Sequence, residues 1–307
     1  MNVIGRIKSK VGRIATGWGL LPTPATCLQR YFGNLAHSGH PLPASSRRLL
    51  QDGHLVLRSV FDSAELAALK AEIESIFESE PKDGRPNSDM EPGGDMFRYQ
   101  MFNRSALCQE AIGRPELLAV VEPLLGDDCH VISNTAWRNP PNQQSRGGCF
   151  WHIDAGPHVP LPVGSRWPRH LPFPIFVIAT HIYLQSCEMR DGPTGAIPGS
   201  HRSGRIPPQE KRWDDDLTFE GRGAEAHIVE AGDVGFFVSD VWHRRIPPQK
   251  DGRGRFFLQT NYARRDVAQR ILATRDVHCA SEEAVARAET TRQQQLIGLH
   301  AEYFYDS

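Results

Sequence analysis

From His130 to Tyr262 the chain is cut into short β-prone runs by turn-rich stretches, and this punctuation limits what it can fold into more than any other feature. The runs HVISNTAW, CFWHID, IFVIATHIYLQ, AHIVEAGDVGFFV and RFFLQTNY are separated by segments such as NPPNQQSRGG and RDGPTGAIPGSH. Many short strands with Gly/Pro turns and sparse helix predict an antiparallel barrel or sandwich. Helical patterning is confined to the flanks. Leu49 to Val60 reads as the end of a helix followed by a strand. DSAELAALKAEIESIFE is an amphipathic helix with Asp62 or Ser63 as cap, and Leu66, Leu69, Ile73, Ile76 and Phe77 form its apolar stripe. Glu80 to Asp95 reads as a loop. Pro115 to Leu125 reads as a second helix that ends at Gly126. Ser281 to His300 returns to helical composition. The expected organisation is a mainly β domain over residues 49–307, with flanking helices and a C-terminal helical tail, after a basic extension at 1–48.

The extension has no acidic residue before Asp52, while Arg6, Lys8, Lys10, Arg13, Arg30, Arg47 and Arg48 are basic. That is the composition of an organelle transit peptide, or of a basic surface segment lying on the domain. Pro22, Pro24, Pro41 and Pro43 interrupt any long amphipathic helix and favour the second reading. The six cysteines, at 27, 108, 129, 149, 187 and 279, contain no CxxC pair. Unpatterned cysteines in a chain of this length predict free thiols in a reducing compartment. A cytoplasmic location is therefore expected, with organelle import as the alternative. A formal net charge of −1 argues against a nucleic-acid partner. No apolar run approaches the roughly 20 residues of a membrane span.

Three pieces carry the chemistry. In His152-Ile153-Asp154, residues two apart on a strand share a face, so an imidazole and a carboxylate can meet one metal. His243 ends the β-prone run of GDVGFFVSDVWHRR. Two histidines and one carboxylate make the facial arrangement of non-haem Fe(II) oxygenases, which leaves adjacent positions for a chelating 2-oxo acid and O2. Arg255 opens the next strand, and its planar fork suits the far carboxylate of a dicarboxylic oxo acid. Each piece alone reads as structural; their order and combination point to a 2-oxoglutarate oxygenase.

WHIDAG, RDGPTGAIPGSHR, GDVGFFVSDVWH and RFFL, with the opening LLQDGHLVLRSVFDSAELAALKAEIE, resemble the phytanoyl-CoA dioxygenase family of 2-oxoglutarate oxygenases. The resemblance covers about Leu49 to Arg265. It implies a double-stranded β-helix (jelly-roll) core, Fe(II) at His152, Asp154 and His243, and 2-oxoglutarate anchored by Arg255. It also places Thr135 and His181 where the family often contacts the oxo acid, although His181 reads equally as a core histidine. In related iron halogenases a small residue replaces the carboxylate, so Asp154 implies hydroxylation or another hydrogen-abstraction outcome over halogenation; the expected reaction is hydroxylation of a small organic substrate, with release of succinate and CO2. Two other readings stand beside this one: a catalytically silent metal-binding jelly roll, and a cupin-type enzyme that does not use 2-oxoglutarate.

Several rivals are set aside. His201 reads as structural and His158 as a residue of the pocket mouth. Asp214, Asp215 and Asp216 read as a solvated acidic loop. Arg253, between two glycines, reads as part of a turn. Arg244 and Arg245 depart from the small or polar residues usual after the distal histidine. They are expected to point to solvent, the alternative being that Arg245 brings a positive charge to the pocket and favours an anionic substrate. Strand parity predicts that Trp137, Tyr183, Gln259 and Asn261 face the pocket.

Overall fold

The computed structural model describes residues 42–79, 97–141, 149–154, 156–168, 171–267 and 280–299. The loop expected from Glu80, Cys27 and Cys279, and residues 1–41 of the extension lie outside these. The order of elements is α1 (Ala44–Asp52), β1 (His54–Leu57), α2 (Ser63–Ser79), β2 (Phe97–Tyr99), α3 (Met101–Arg104), α4 (Ala106–Ile112), α5 (Pro115–Leu125) and β3 (His130–Asn139). Then come β4 (Val177–Tyr183), β5 (Thr194–Ala196), β6 (Glu225–Ala226), β7 (Val234–Val238), β8 (His243–Arg245), β9 (Arg255–Ala263), α6 (Glu282–Arg287) and α7 (Thr291–Leu296).

The strands form two antiparallel sheets, one ordered β1-β7-β4-β9-β3-β2 and a smaller one ordered β6-β5-β8. Neighbours in space are distant in sequence, which makes the core a jelly roll. Strand alternation divides the side chains between two faces. Ile178 and Ile182 of β4, and Phe256, Leu258 and Tyr262 of β9, pack with Leu66, Leu69, Ile73, Ile76 and Phe77 of α2. The opposite face of these strands carries Ala179, His181, Tyr183, Phe257 and Gln259 and looks into the roll. Both faces are covered, so β4 is buried at every position. Covering each large apolar side chain contributes about 1.5–3 kcal/mol.

Asp62 accepts from the N–H groups of Ala64 and Glu65 through Oδ1, and Glu65 accepts from the N–H of Asp62, a reciprocal cap that fixes the start of α2. The first described helix crosses the boundary expected after residue 48. Ser46 donates to the carbonyl of Val120, and Leu49 is fully buried. Gly53 ends that helix at φ +81°, where a Cβ would meet His201 Nδ1 at 2.5 Å. The run CFWHID is not a full strand. Only His152 is bridged, to His243.

Candidate active site

The bridge between His152 and His243 assembles the site. The two residues exchange both backbone hydrogen bonds at 3.0 Å, and the Asp154 N–H donates to the carbonyl of Ser239 at 3.1 Å. The segment 152–154 is thereby held against the outer edge of β8. The ligand atoms of His152, Asp154 and His243 then lie within 4.8 Å of one another. Asp154 Oδ1 is 3.3 Å from His243 Nε2 and 3.9 Å from His152 Nε2.

The ring orientations suit metal binding. His152 Nδ1 donates to the carbonyl of Phe150 at 2.7 Å, and His243 Nδ1 to the carbonyl of Val241 at 2.9 Å. A carbonyl can only accept, so each ring carries its proton on Nδ1 and turns the Nε2 lone pair toward Asp154. Burial, with the His243 ring beside it, pushes the pKa of His152 down to about 4 and keeps the imidazole neutral. Two imidazole nitrogens and one carboxylate converging within this distance fit a divalent iron.

A cavity of about 210 Å³ adjoins these residues. Arg255 lies in its wall, 8 % exposed, on the same strand face as Phe257 and Gln259. Its Nε and Nη2 donate to Asn139 Oδ1 at 3.1 and 2.9 Å, and Nη1 donates to Thr194 Oγ1 at 3.0 Å. The guanidinium is thus oriented by neutral oxygens, and its charge is not neutralised by them. Arg253 behaves as its glycine-flanked position suggests: the side chain is half exposed and pairs with Asp191 at 2.9 Å.

His181 also lines the cavity. It stacks on Phe257 with ring centroids 4.2 Å apart, and its Nδ1 is 3.4 Å from Thr194 Oγ1. Burial, reinforced by the charge of Arg255, holds its pKa well below the usual histidine value, so it serves as a neutral hydrogen-bonding group. Thr135 is buried on the same strand as the cavity's Trp137 and Asn139 but does not line the cavity. Of the residues predicted by parity, Trp137 and Gln259 do line it, joined by a bond of 2.8 Å from Trp137 Nε1 to Gln259 Oε1. Tyr183 and Asn261 do not. Asn261 has the right parity but lies nearer the opposite end of β9 from Arg255.

The expectation that Arg244 and Arg245 point to solvent is overturned. Both are buried and line the cavity. Arg244 pairs with Asp215 and lies over the ring of Trp151 at 4.7 Å, so the acidic loop supplies a counter-charge and is not merely solvated. The cause is β8 itself. All three of its residues are buried, so neither face of this strand meets solvent. Sequence reasoning also missed Asn139 and Thr194. Asn139 was accessible in principle, because the face of Trp137 continues two residues on to it. The two rejected histidines are structural: His158 bonds to Asp240 Oδ2 at 2.7 Å, and His201 to the carbonyl of Leu50 at 3.1 Å.

The family model for phytanoyl-CoA dioxygenase (PhyH) matches residues 49–244, a stretch that includes His152, Asp154 and His243. The chain belongs to the phytanoyl-CoA dioxygenase family. An ectoine dioxygenase of Bordetella bronchiseptica is 24% identical over 155 residues, 50% of this chain and 47% of that protein. The chain thus aligns with about half the length of the curated relatives it matches. Among solved structures, iron-bound EctD from S. alaskensis aligns with a TM-score of 0.58 at 20% identity, covering 78% of this chain and 82% of that one. The non-haem alpha-ketoglutarate-dependent epimerase SnoN from nogalamycin biosynthesis aligns with a TM-score of 0.54 at 16% identity, covering 84% and 90%. At these identities the structural likeness is one of fold. Among the described residues no helix is long and apolar enough to cross a membrane.

Proposed function

We propose that this member of the phytanoyl-CoA dioxygenase family is an Fe(II)- and 2-oxoglutarate-dependent dioxygenase that hydroxylates a small organic substrate. The observation that carries this reading is the convergence of two Nε2 lone pairs and one carboxylate beside a cavity whose wall presents Arg255. His152, Asp154 and His243 would hold the metal. Bound iron supplies the oxidising chemistry: O2 is consumed, 2-oxoglutarate becomes succinate and CO2, and one oxygen atom enters a C–H bond of the substrate.

The chain's own residues do the positioning. The backbone bridge fixes the spacing of the ligands, and the carbonyls of Phe150 and Val241 hold both rings in the ligating tautomer. Arg255, oriented by Asn139 and Thr194, would pair with the distal carboxylate of 2-oxoglutarate. His181 and Thr194 would line the path between that carboxylate and the metal. Phe237, Phe257 and Trp137 exclude water from the reacting centre. Thr135 has no place in this arrangement. Cys108, Cys129 and Cys187 are buried free thiols, which supports a reducing, cytoplasmic setting for the enzyme.

The test is turnover of 2-oxoglutarate by the iron-loaded protein in air, with succinate quantified and a panel of small organic substrates screened for a gain of one oxygen atom by mass. Succinate release that needs both Fe(II) and O2 supports the reading. A protein that binds iron yet releases no succinate with any substrate favours the silent jelly roll. Transformation of a substrate without 2-oxoglutarate favours the cupin-type enzyme.

A further inference from the structure

Arg245 is 2 % exposed and lines the cavity. Nη2 donates to the carbonyls of Pro140 at 2.9 Å and Asp191 at 3.3 Å, whereas Nε and Nη1 are buried without a protein partner. The side chain has been given room. Gly192 lies against it at φ +78°, and a Cβ there would sit 2.9 Å from Arg245 Nε. Neighbouring Pro140 and Asn139 tie Arg245 to Arg255, because Asn139 is both the register partner of Arg255 and its hydrogen-bond acceptor.

Three arginines, Arg244, Arg245 and Arg255, line this one small cavity. Among the described residues neither Arg245 nor Arg255 has a carboxylate partner, while Arg244 has Asp215 and nearby Arg253 has Asp191. A buried charge without a counter-ion is costly, and two of like sign in one cavity wall are costlier. Burial, and then the like charge of Arg255, push the pKa of Arg245 down to about 10. Arg255 alone already answers one carboxylate of a bound oxo acid. The vacant donors of Arg245 call for further anionic oxygen.

We propose that Arg245 is a second carboxylate-binding residue of this site, forming with Arg255 a two-arginine clamp in the wall of the cavity. The choice of ligand rests on the oxygenase reading. The carboxylate comes either from the distal end of 2-oxoglutarate or from the oxidised substrate itself, and the clamp's chemistry is the same for both. Guanidinium groups suit this role because each offers parallel N–H donors to a carboxylate's two oxygens. One consequence is selectivity: 2-oxo monoacids should gain nothing from Arg245.

The test is calorimetry on the full-length parent, Arg245→Met and Arg245→Gln. Gln keeps a donor for the carbonyls of Pro140 and Asp191 and removes the charge, so it serves if Met prevents folding. The probes are glutarate on metal-free protein, 2-oxoglutarate and 2-oxobutyrate on Mn(II)-loaded protein, and benzoate on Mn(II)-loaded protein saturated with 2-oxoglutarate. Loss of Arg245 should weaken glutarate and 2-oxoglutarate binding at least tenfold and leave 2-oxobutyrate unchanged, which assigns the clamp to the distal carboxylate. Unchanged glutarate and 2-oxoglutarate, with benzoate binding lost, assigns Arg245 to a carboxylate of the substrate and equally supports the proposal. If every probe binds the variants as it binds the parent, the proposal is overturned. A parent that binds 2-oxoglutarate no tighter with Mn(II) than without it contradicts the oxygenase reading, while the glutarate comparison still decides the clamp.

Discussion

Arg255 donates through Nε, Nη1 and Nη2 to neutral oxygens of Asn139 and Thr194, a cradle that aims the fork without cancelling its charge. A charge-assisted hydrogen bond contributes about 1.5–3 kcal/mol, and each 1.4 kcal/mol is roughly tenfold. Arg255→Ala should therefore raise the KM for 2-oxoglutarate by roughly 10- to 150-fold, and Arg255→Lys should recover only part of this. Arg253→Ala should change the KM little, because its side chain is spent on Asp191. A titration of the three variants against the parent checks this; the reverse pattern would transfer the anchor to Arg253. At this scale His152, Asp154, His243 and Arg255 were legible because each matches a chemical need to a residue type at a readable position. Arg244 and Arg245 were not, since nothing in a dipeptide after a histidine tells whether its strand has a solvent face. Thr135 was placed by resemblance, and the cavity stops short of it.

Elements carry the site by holding backbone, and the turn between β4 and β5 shows how. Asp191 accepts from the N–H groups of Arg253 at 2.6 Å and Glu188 at 2.9 Å and from Arg253 Nη2 at 2.9 Å, tying this turn to the one that launches β9. Burial raises the pKa of Asp191, but the bonds from Arg253 and Glu188 outweigh it and leave the net value below the ordinary 3.8. A carboxylate depressed in the folded state stabilises fully above its unfolded pKa, and that contribution is lost as pH falls below 3.8 through the folded value. Asp191→Asn should accordingly cost about 1–3 kcal/mol at neutral pH and flatten the acid limb of the stability profile. Denaturant melts at pH 7 and at pH 3 measure both effects; a variant as stable as the parent at pH 7 would contradict the account. Two helices were legible nearly to the residue, α2 by its cap and apolar stripe and α5 by its leading proline, apolar stripe and closing glycine, whereas α3 and α4 were not read. CFWHID was read as a strand from its composition, yet only His152 pairs, because the segment's other side is taken up by Trp151 packing and by the turn that follows.

Across the whole molecule a jelly roll carries a cluster of three candidate metal ligands beside a cavity lined by three arginines. The antiparallel class was readable from the spacing of β-prone runs, whereas the order β1-β7-β4-β9-β3-β2 was not, because strand neighbours far apart in sequence leave no periodic trace. The family resemblance supplied the jelly-roll class but not this order. The central claim is that one iron is held by His152, Asp154 and His243 and that 2-oxoglutarate binds through it. The most direct measurement is anaerobic calorimetry of Fe(II), followed by 2-oxoglutarate, into metal-free protein for the parent and for His152→Ala, Asp154→Ala and His243→Ala, with circular dichroism to verify folding. The account predicts one Fe(II) per chain in the parent, tight 2-oxoglutarate binding only after iron, and loss of iron binding in each folded variant that exceeds the roughly 10- to 100-fold typical of residues that merely orient a ligand. Full iron occupancy in any one of the three variants, or equal 2-oxoglutarate affinity with and without iron, would contradict it.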